Sequence, residues 1–276
     1  MKTAIIGGGN MGGAIIRGMI GSGQFLAGDI VLLDSDAEKC ARFAEMGVEI
    51  VINVSDLTAD VVILAIKPGG FRELLAQIAD NKNLCDNAVF VSIAAGISTG
   101  YIMDIIPTAR VVRAMPNLSA QISMGVTAVC RPSVRSESSL RKSLSDTDFA
   151  DVLRIFSSIG TCVEISEEQM PRVVALNGSS PAFVFMLIDA MIAQGAASGF
   201  DEETAKILAC NTIIGAAKMA GQSDSPPRTL CKNVCSPNGT TIEGVKVLEN
   251  GAFNALIIDA MDAVTARAEE MEKNAN

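Results

Sequence analysis

Residues 236–241 carry the sequence Ser-Pro-Asn-Gly-Thr-Thr, a turn that leads into a predicted helix. Asn238 and Gly239 are residue types that tolerate a positive φ angle well. Thr240 and Glu243 have the spacing of a capping box. If a helix begins here, its first backbone N–H groups point outward together and attract a carboxylate or a phosphate. The segment therefore predicts either an anion-binding helix start with hydroxyl groups beside it or an ordinary capped helix.

A second motif with chemical potential lies near the N-terminus. Residues 1–6 form an apolar strand candidate, and a helical pattern of apolar residues follows the stretch Gly7-Gly8-Gly9-Asn10-Met11-Gly12. This is a G-x-G-x-x-G sequence in the strand–turn–helix setting of a dinucleotide site. Gly7 would allow the tight turn, Gly9 the approach of a pyrophosphate, and Gly12 the close packing of helix on strand. The alternative is a glycine-rich turn without a ligand.

The end of the second predicted strand bears on the choice of cofactor. Asp34 follows the glycines by about 20 residues, where a carboxylate accepts hydrogen bonds from the adenosine ribose. Ser35 and Asp36 come next, and Lys39, the only cation nearby, is expected to face solvent. Because two carboxylates repel a 2′-phosphate, the sequence predicts a preference for NADH over NADPH.

Composition excludes several classes of function. The chain has 276 residues, a net charge of −9 and a pI of about 4.7, so binding to nucleic acid is not expected. Seven scattered cysteines fit reduced thiols in a cytoplasmic protein. Cys231 and Cys235 are four residues apart, but there is no histidine to complete a zinc site, so no metal is predicted. The lack of histidine also excludes any dehydrogenase mechanism with a histidine acid or base.

The hydrophobic pattern divides the chain into two predicted domains. Apolar strands alternate with helices as far as residue 164, which indicates an α/β fold with a Rossmann-type doubly wound sheet. Residues 133–148 are polar and serine-rich and are predicted to form a surface loop running into the next helix. Residues 165–276 are predicted to be an all-helical domain for substrate binding and dimerisation.

Self-association is expected from the helical region. The apolar stretch 182–191 is interrupted by Asp189 and is too short and polar for a membrane span. No signal peptide is predicted at the N-terminus, because the first strand begins there. Helices with so much apolar surface need a partner, and we expect a second subunit to cover them.

Seven segments in order resemble the pyrroline-5-carboxylate reductase family. The segment at 233–249 is similar to the family's VTSPGGTTIAGLxVLE, and residues 7–16 resemble its opening GGGNMxxAII. The other five similar segments are VVILAIKP at 61–68, VSIAAGI at 91–97, VVRAMPN at 111–117, ALNGSSPAFVFMLIDAM at 175–191 and TIIGAAKM at 212–219. The resemblance covers nearly the whole chain.

This resemblance implies the last step of proline biosynthesis, in which hydride from NADH or NADPH reduces the C=N bond of pyrroline-5-carboxylate to give L-proline. The substrate needs an anion pocket and a donor near its nitrogen. The backbone amides of Gly239 and Thr240 would hold its carboxylate, with Asn238 in the same turn. By resemblance, the Thr241 hydroxyl would bond the imine nitrogen, and Ser236 would lie beside it.

The resemblance also implies which residues hold the cofactor. The glycine-rich loop and Asp34 would bind the dinucleotide, and Asn53 would contact its adenosine half. Further contacts are implied after the fourth and fifth strands and near the nicotinamide, at Ala65, Lys67, Ala94, Ala95, Met115 and Asn117.

Departures from the family pattern leave alternatives open. Asn177 and Ser180 replace Ser and Gly of the family's SGSGPAY, Pro226 stands where a histidine is usual, and Asn238 replaces a glycine. One alternative is a reductase of another carboxylated cyclic imine. A β-hydroxyacid dehydrogenase is another, although Val173 occupies the position of that family's lysine, four residues before Asn177. A non-catalytic nucleotide-binding relative is the third.

Overall fold

The computed structural model describes residues 1–133 and 143–275. An eight-stranded sheet, in the order β3-β2-β1-β4-β5-β6-β7-β8, organises the first part of the chain. Its strands are β1 Thr3–Ile6, β2 Ile30–Leu33, β3 Glu49–Val51, β4 Val61–Leu64, β5 Val89–Ser92, β6 Arg110–Pro116, β7 Gly125–Cys130 and β8 Gly160–Glu164.

Strand direction changes once across the sheet. The strands from β3 to β6 are parallel neighbours, whereas β7 is antiparallel to β6 and parallel to β8. The order starts from β1 and extends outward in both directions, which is the doubly wound arrangement. Its parallel strands end at one edge, where such folds bind ligands. The predicted Rossmann-type sheet is confirmed.

Helices cover both faces of the sheet. They are α1 Asn10–Gly21, α2 Ala37–Glu45, α3 Phe71–Asp80, α4 Lys82–Asn87, α5 Thr99–Ile105, α6 Asp146–Ser157 and the short α7 Met170–Val173. One face buries Ile5 and Ile63 with α1 and α6, and the other buries Val62 and Phe90 with α3 and α5. Burial on both faces explains why the central strands are continuous apolar runs. The predicted loop 133–148 lies mostly outside the described residues.

Five longer elements form the rest of the chain. After α7, a π-helical segment runs from Val174 to Ser179. The helices that follow are α8 Ser180–Ala197, α9 Glu202–Gln222, α10 Pro227–Val234, α11 Thr240–Asn250 and α12 Phe253–Ala275. The predicted helical character of this region is confirmed.

The chain forms two compact units, and their boundary differs from residue 164. The first unit is Met1–Ser179 with Ala263–Asn276, and the second is Ser180–Asp262. Residues after 164 join the sheet unit because Met170 packs with Met115 and Cys130. The last turns of α12 join it because Glu272 pairs with Arg113 of β6. A functional division at 164 stays a prediction.

The second unit has almost no core of its own. In Ser180–Asp262 only Ala205 and Ala209 are buried. Large apolar side chains such as Phe185 and Met186 of α8 are 54% and 72% exposed. Within the described residues, one helical stretch, Glu167–Ala197, is long and apolar enough to cross a membrane by length and composition alone. A soluble interface helix has the same properties, so exposed apolar surface is the feature that needs explanation.

Candidate active site

The glycine-rich loop connects β1 to α1 with little free space around two of its glycines. Gly7 has a φ of 102°, and a side chain there would meet the Ala65 carbonyl. A Cβ on Gly12 would lie 1.9 Å from the Gly7 carbonyl oxygen. A Cβ on Gly9 would meet nothing within 4 Å, so the backbone there is open to a ligand.

The helix start after this loop suits a phosphate group. Gly9 is the N-cap of α1, and no side chain caps the helix. Because the first N–H groups of a helix lack intrahelical partners, those from Asn10 and Met11 onward are available to an anion. Gly9 provides the approach and α1 provides the donors, so these residues fit a dinucleotide pyrophosphate.

Asp34 is held by the backbone at the end of β2. Its Oδ2 accepts a hydrogen bond from the Gly8 N–H at 2.6 Å, and its Oδ1 accepts one from the Asp36 N–H at 2.8 Å. The carboxylate is therefore fixed against the glycine-rich loop, which ties the two parts of the predicted cofactor site together.

Lys39 does not simply face solvent as expected. Its Nζ lies 3.1 Å from the Asp36 carboxylate, and Lys39 lines the same cleft as Asp34. The bond from Asp36 and the charge of Asp34 raise the pKa of Lys39. Conversely, the backbone N–H of Lys39 and its side chain lower the pKa of Asp36. The two carboxylates predicted at this site, Asp34 and Asp36, are therefore accompanied by Lys39, whose charge is paired with Asp36.

A cleft of about 530 Å³ lies at the carboxyl ends of β1, β2 and β4. Five of the predicted cofactor residues line it, namely Gly7, Gly9, Asp34, Ala65 and Lys67. Asn53 is not among the lining residues, and its amide donates to the Asp56 carboxylate at 3.2 Å. The structure thus brings the glycine loop, Asp34 and the end of β4 together, whereas the role of Asn53 stays a prediction.

The remaining predicted cofactor residues lie at the ends of β5 and β6. Ala94 is buried on the face covered by α3 and α5. Ala95 packs on a small cluster of Met115, Cys130 and Met170. Burial raises the pKa of the Cys130 thiol to about 12, and the charge of Glu167 adds to this effect. Cys130 is therefore a neutral packing residue.

Asn117, at the end of β6, has a polar partner that the sequence did not suggest. Its Nδ2 donates to Oδ1 of Asn177 at 2.9 Å. Asn177 lies in the π-helical segment, and its own Nδ2 donates to the carbonyl oxygens of Met115 and Val126. The two amides are 60 residues apart in the chain, so only the folded structure brings them together.

The turn at 236–241 belongs to the second unit. Asn238 has a φ of 61°, as its residue type allows. The predicted capping box is wrong: Gly239 is the N-cap of α11 without a side-chain cap, and Glu243 pairs with Lys246 at 2.7 Å. The Gly239 N–H donates to the Ser236 carbonyl at 3.0 Å, so the anion donors of this turn begin with Thr240.

Comparison with known proteins identifies the family. A model of "Pyrroline-5-carboxylate reductase dimerisation" matches residues 167–271, and one of "NADP oxidoreductase coenzyme F420-dependent" matches residues 2–96. The pyrroline-5-carboxylate reductase of Escherichia coli K12 is 35% identical over 99% of both chains. The chain belongs to the pyrroline-5-carboxylate reductase family.

Solved structures agree with this membership. The Coxiella burnetii pyrroline-5-carboxylate reductase has a TM-score of 0.85 at 30% identity and covers 98% of both chains. The Plasmodium falciparum pyrroline carboxylate reductase, solved with NADP bound, has a TM-score of 0.87 at 25% identity. It covers 99% of this chain and 98% of its own. Binding of an NAD(P) cofactor is thereby supported.

Family membership also explains the exposed apolar helices. The dimerisation model spans 167–271, which includes all of the second unit. Self-association through this region follows, and a partner surface would account for the exposure of apolar side chains such as Phe185 and Met186. The predicted self-association is confirmed, and the long apolar stretch needs no membrane to account for it.

Proposed function

We propose that this pyrroline-5-carboxylate reductase family member reduces the C=N bond of L-1-pyrroline-5-carboxylate to L-proline. The likeness to named reductases over 99% of the chain is the observation that carries the proposal. When bound, the reduced nicotinamide supplies the hydride that forms the new C–H bond, while the π electrons of C=N become the nitrogen lone pair. Because the imine nitrogen already carries its proton when hydride arrives, this addition gives the amine of proline directly and needs no acid from the protein.

The turn at 236–241 is the proposed substrate site. The N–H groups of Thr240 and Thr241, at the start of α11, would bind the substrate carboxylate. The Gly239 N–H already donates to the Ser236 carbonyl, so it is not a donor to the substrate. Gly239 would instead let the backbone of the turn lie close to the substrate. Asn238 would shape the turn through its left-handed conformation.

Thr241 is the proposed catalytic hydroxyl. It would hydrogen-bond the ring nitrogen and hold the proton that nitrogen carries as hydride arrives at carbon. Ser236, which is exposed in the same turn, would lie beside it. Since no histidine is present, positioning carries most of the catalysis.

The cofactor would extend from α1 to the ends of β5 and β6. Gly7, Gly9 and Gly12 would form the pyrophosphate loop, with Asn10 and Met11 as donors at the helix start. Asp34 and Asn53 would serve the adenosine half, and Ala65 and Lys67 would line the cleft between. The nicotinamide half would lie near Ala94, Ala95, Met115 and Asn117.

We further propose a preference for NADH. The Asp34 carboxylate is fixed beside the cleft by two backbone N–H groups, where it suits the ribose hydroxyls and opposes a phosphate. Lys39 is already paired with Asp36 and offers only a partly neutralised charge to a 2′-phosphate. Equal kcat/KM values for NADH and NADPH would refute this preference.

A cytoplasmic location is the accompanying proposal. All seven cysteines are free thiols, which is the state that a reducing cytoplasm maintains.

The experiment that tests the function follows loss of NADH or NADPH absorbance when pyrroline-5-carboxylate is added to the purified protein. The variant Thr241→Val should lower kcat/KM roughly a hundredfold, because the proposed hydrogen bond to the ring nitrogen in the transition state is removed. Thr161→Val is the control, since Thr161 is exposed on β8 of the other unit. Cofactor binding without turnover in the unmodified protein would point to another carboxylated imine as substrate.

A further inference from the structure

Asn117 and Asn177 form a closed ring of hydrogen bonds with one backbone residue. The Val126 N–H donates to Oδ1 of Asn117 at 3.2 Å. Nδ2 of Asn117 donates to Oδ1 of Asn177 at 2.9 Å, and Nδ2 of Asn177 donates back to the Val126 carbonyl at 2.9 Å. The ring continues the pairing of β6 with β7 by one step beyond Pro116 and Thr127.

The backbone decides how both amides are oriented. Nδ2 of Asn177 faces two carbonyl oxygens, those of Met115 at 3.0 Å and Val126 at 2.9 Å. A flipped amide would place its oxygen against both carbonyls, so only one orientation is allowed. Oδ1 of Asn177 must then face Asn117 and can only accept. Asn117 is therefore forced to point its nitrogen at Asn177 and its oxygen at the Val126 N–H.

This orientation leaves one donor unused. A side-chain amide nitrogen carries two hydrogens, and Asn177 uses both of its own. Asn117 uses one for Asn177, and its second N–H has no protein acceptor among the described residues. Asn117 is half-buried at the carboxyl end of β6, the edge where this class of sheet binds its ligands.

The backbone around Asn177 is unusual in a way that fits a functional role. Val174–Ser179 is a π-helical turn between α7 and α8. Such turns are rare and recur at functional sites, because they displace one residue from the regular helical face. Here the displaced turn carries the amide that reaches β6 and β7. A serine, which the family pattern has at position 177, has one hydroxyl and cannot supply two donors and an acceptor.

We propose that Asn177 is a positioning residue for cofactor binding in this chain. It fixes the Asn117 amide so that the remaining N–H donates to an acceptor on the nicotinamide half of the cofactor. The inference rests on the proposed function for the placement of Asn117 near the nicotinamide. The ring itself, which makes Asn177 act through Asn117, is independent of that assignment.

The test measures binding of NADH and of ADP-ribose, which lacks the nicotinamide ring, by titration calorimetry. Asn177→Ala should weaken NADH binding about tenfold, the effect of one hydrogen bond, and leave ADP-ribose binding within about twofold. Leu176→Ala is the matched control, because Leu176 lies in the same π-helical turn and is 67% exposed. It should bind both ligands as the unmodified protein does.

A double-mutant cycle decides whether Asn177 acts through Asn117. The double variant Asn117→Ala with Asn177→Ala should bind NADH no more weakly than Asn117→Ala alone. Independent, multiplying effects would overturn the proposal. So would equal weakening of NADH and ADP-ribose, which indicates a general defect of the cleft, or no change in either.

A fallback variant and a separate activity assay distinguish failure of this proposal from misfolding and from failure of the proposed function. If Asn177→Ala does not fold, Asn177→Ser keeps a hydroxyl and should show the same selective loss of NADH affinity. Turnover of pyrroline-5-carboxylate by the unmodified protein is measured separately. Its absence would contradict the proposed function, whereas a selective loss of NADH affinity in the variants would still support the role of Asn177.

Discussion

Arg113 on β6 and Glu272 near the end of α12 form an ion pair inside the first unit. Nη1 of Arg113 lies 3.2 Å from Oε1 of Glu272, although the residues are 159 positions apart. The Arg113 side chain is 1% exposed, and Glu167 is its second acidic neighbour at 3.9 Å. Glu167 in turn accepts bonds from the backbone N–H and the hydroxyl of Thr99. One buried guanidinium thus links β6, α5 and the last turns of α12.

Removing the charge of Glu272 should destabilise the protein. Glu272→Gln leaves a buried guanidinium with one more distant carboxylate, and we expect a loss of about 3 kcal/mol in urea denaturation at fixed protein concentration. Glu270→Gln is the control on the same helix, because Glu270 pairs with Arg267 at the surface. That change should cost less than about 0.5 kcal/mol. Equal effects of the two substitutions would contradict the importance of the Arg113 pair.

Substitutions at two glycines of the glycine-rich loop should have different effects, one on stability and the other on cofactor binding. In Gly12→Ala, the new methyl group meets the Gly7 carbonyl oxygen at 1.9 Å, so stability should fall by about 3 kcal/mol. In Gly9→Ala, the methyl group meets no protein atom, so thermal stability should be unchanged while NADH affinity falls. Thermal unfolding and calorimetric titration measure the two effects. Normal NADH binding by Gly9→Ala would argue against this loop as the pyrophosphate site.

Cofactor preference should change when a cation is added beside Asp34. Ser35→Arg supplies a guanidinium for the 2′-phosphate and leaves the Asp34 contacts with Gly8 and Asp36 in place. The ratio of kcat/KM for NADPH to that for NADH should rise about tenfold or more. Asp34→Asn is the less clean substitution, because an amide has only one oxygen for two backbone N–H groups. An unchanged ratio in Ser35→Arg would place the adenosine ribose elsewhere.

Cys130 should resist alkylation in the folded protein. Burial holds its pKa near 12, so the thiol is protonated and unreactive at about pH 8, well below that pKa. Its side chain is also fully buried. After iodoacetamide treatment and digestion, mass spectrometry should find Cys130 unmodified in native protein and modified in guanidinium-unfolded protein. Alkylation of the native protein at the unfolded rate would show that the Met115–Cys130–Met170 cluster opens readily.

The sequence predicted the local features of this molecule well. The alternation of strands and helices as far as residue 164 and the glycine turn at Gly7 were predictable, because apolar runs and turn residues act over a few positions. The capping box at Thr240 failed because the helix begins one residue earlier than the spacing suggests, with Gly239 as N-cap. Lys39 is partly exposed, as expected, but its side chain also pairs with Asp36, which was not predicted from the sequence.

The long-range contacts could not be predicted from the sequence. Nothing in the residues around Asn117 specifies that Asn177 will orient its amide, and nothing around Arg113 specifies Glu272. These contacts form where distant segments converge, so they depend on the tertiary fold and not on a motif. The unit boundary differed from residue 164 for the same reason, since packing on Met115 and Arg113 draws later segments onto the sheet.

The contact between the end of α12 and Arg113 has a consequence for how the chain folds during translation. The first unit is interrupted in chain order by Ser180–Asp262, and its final piece is Ala263–Asn276. Domains usually fold in turn as the ribosome releases them, beginning with the N-terminal one. Here the sheet emerges early but must wait with a buried cation unneutralised by Glu272 until the whole inserted unit has been translated. The sheet unit can therefore complete its native packing around Arg113 only after the end of the chain has been made.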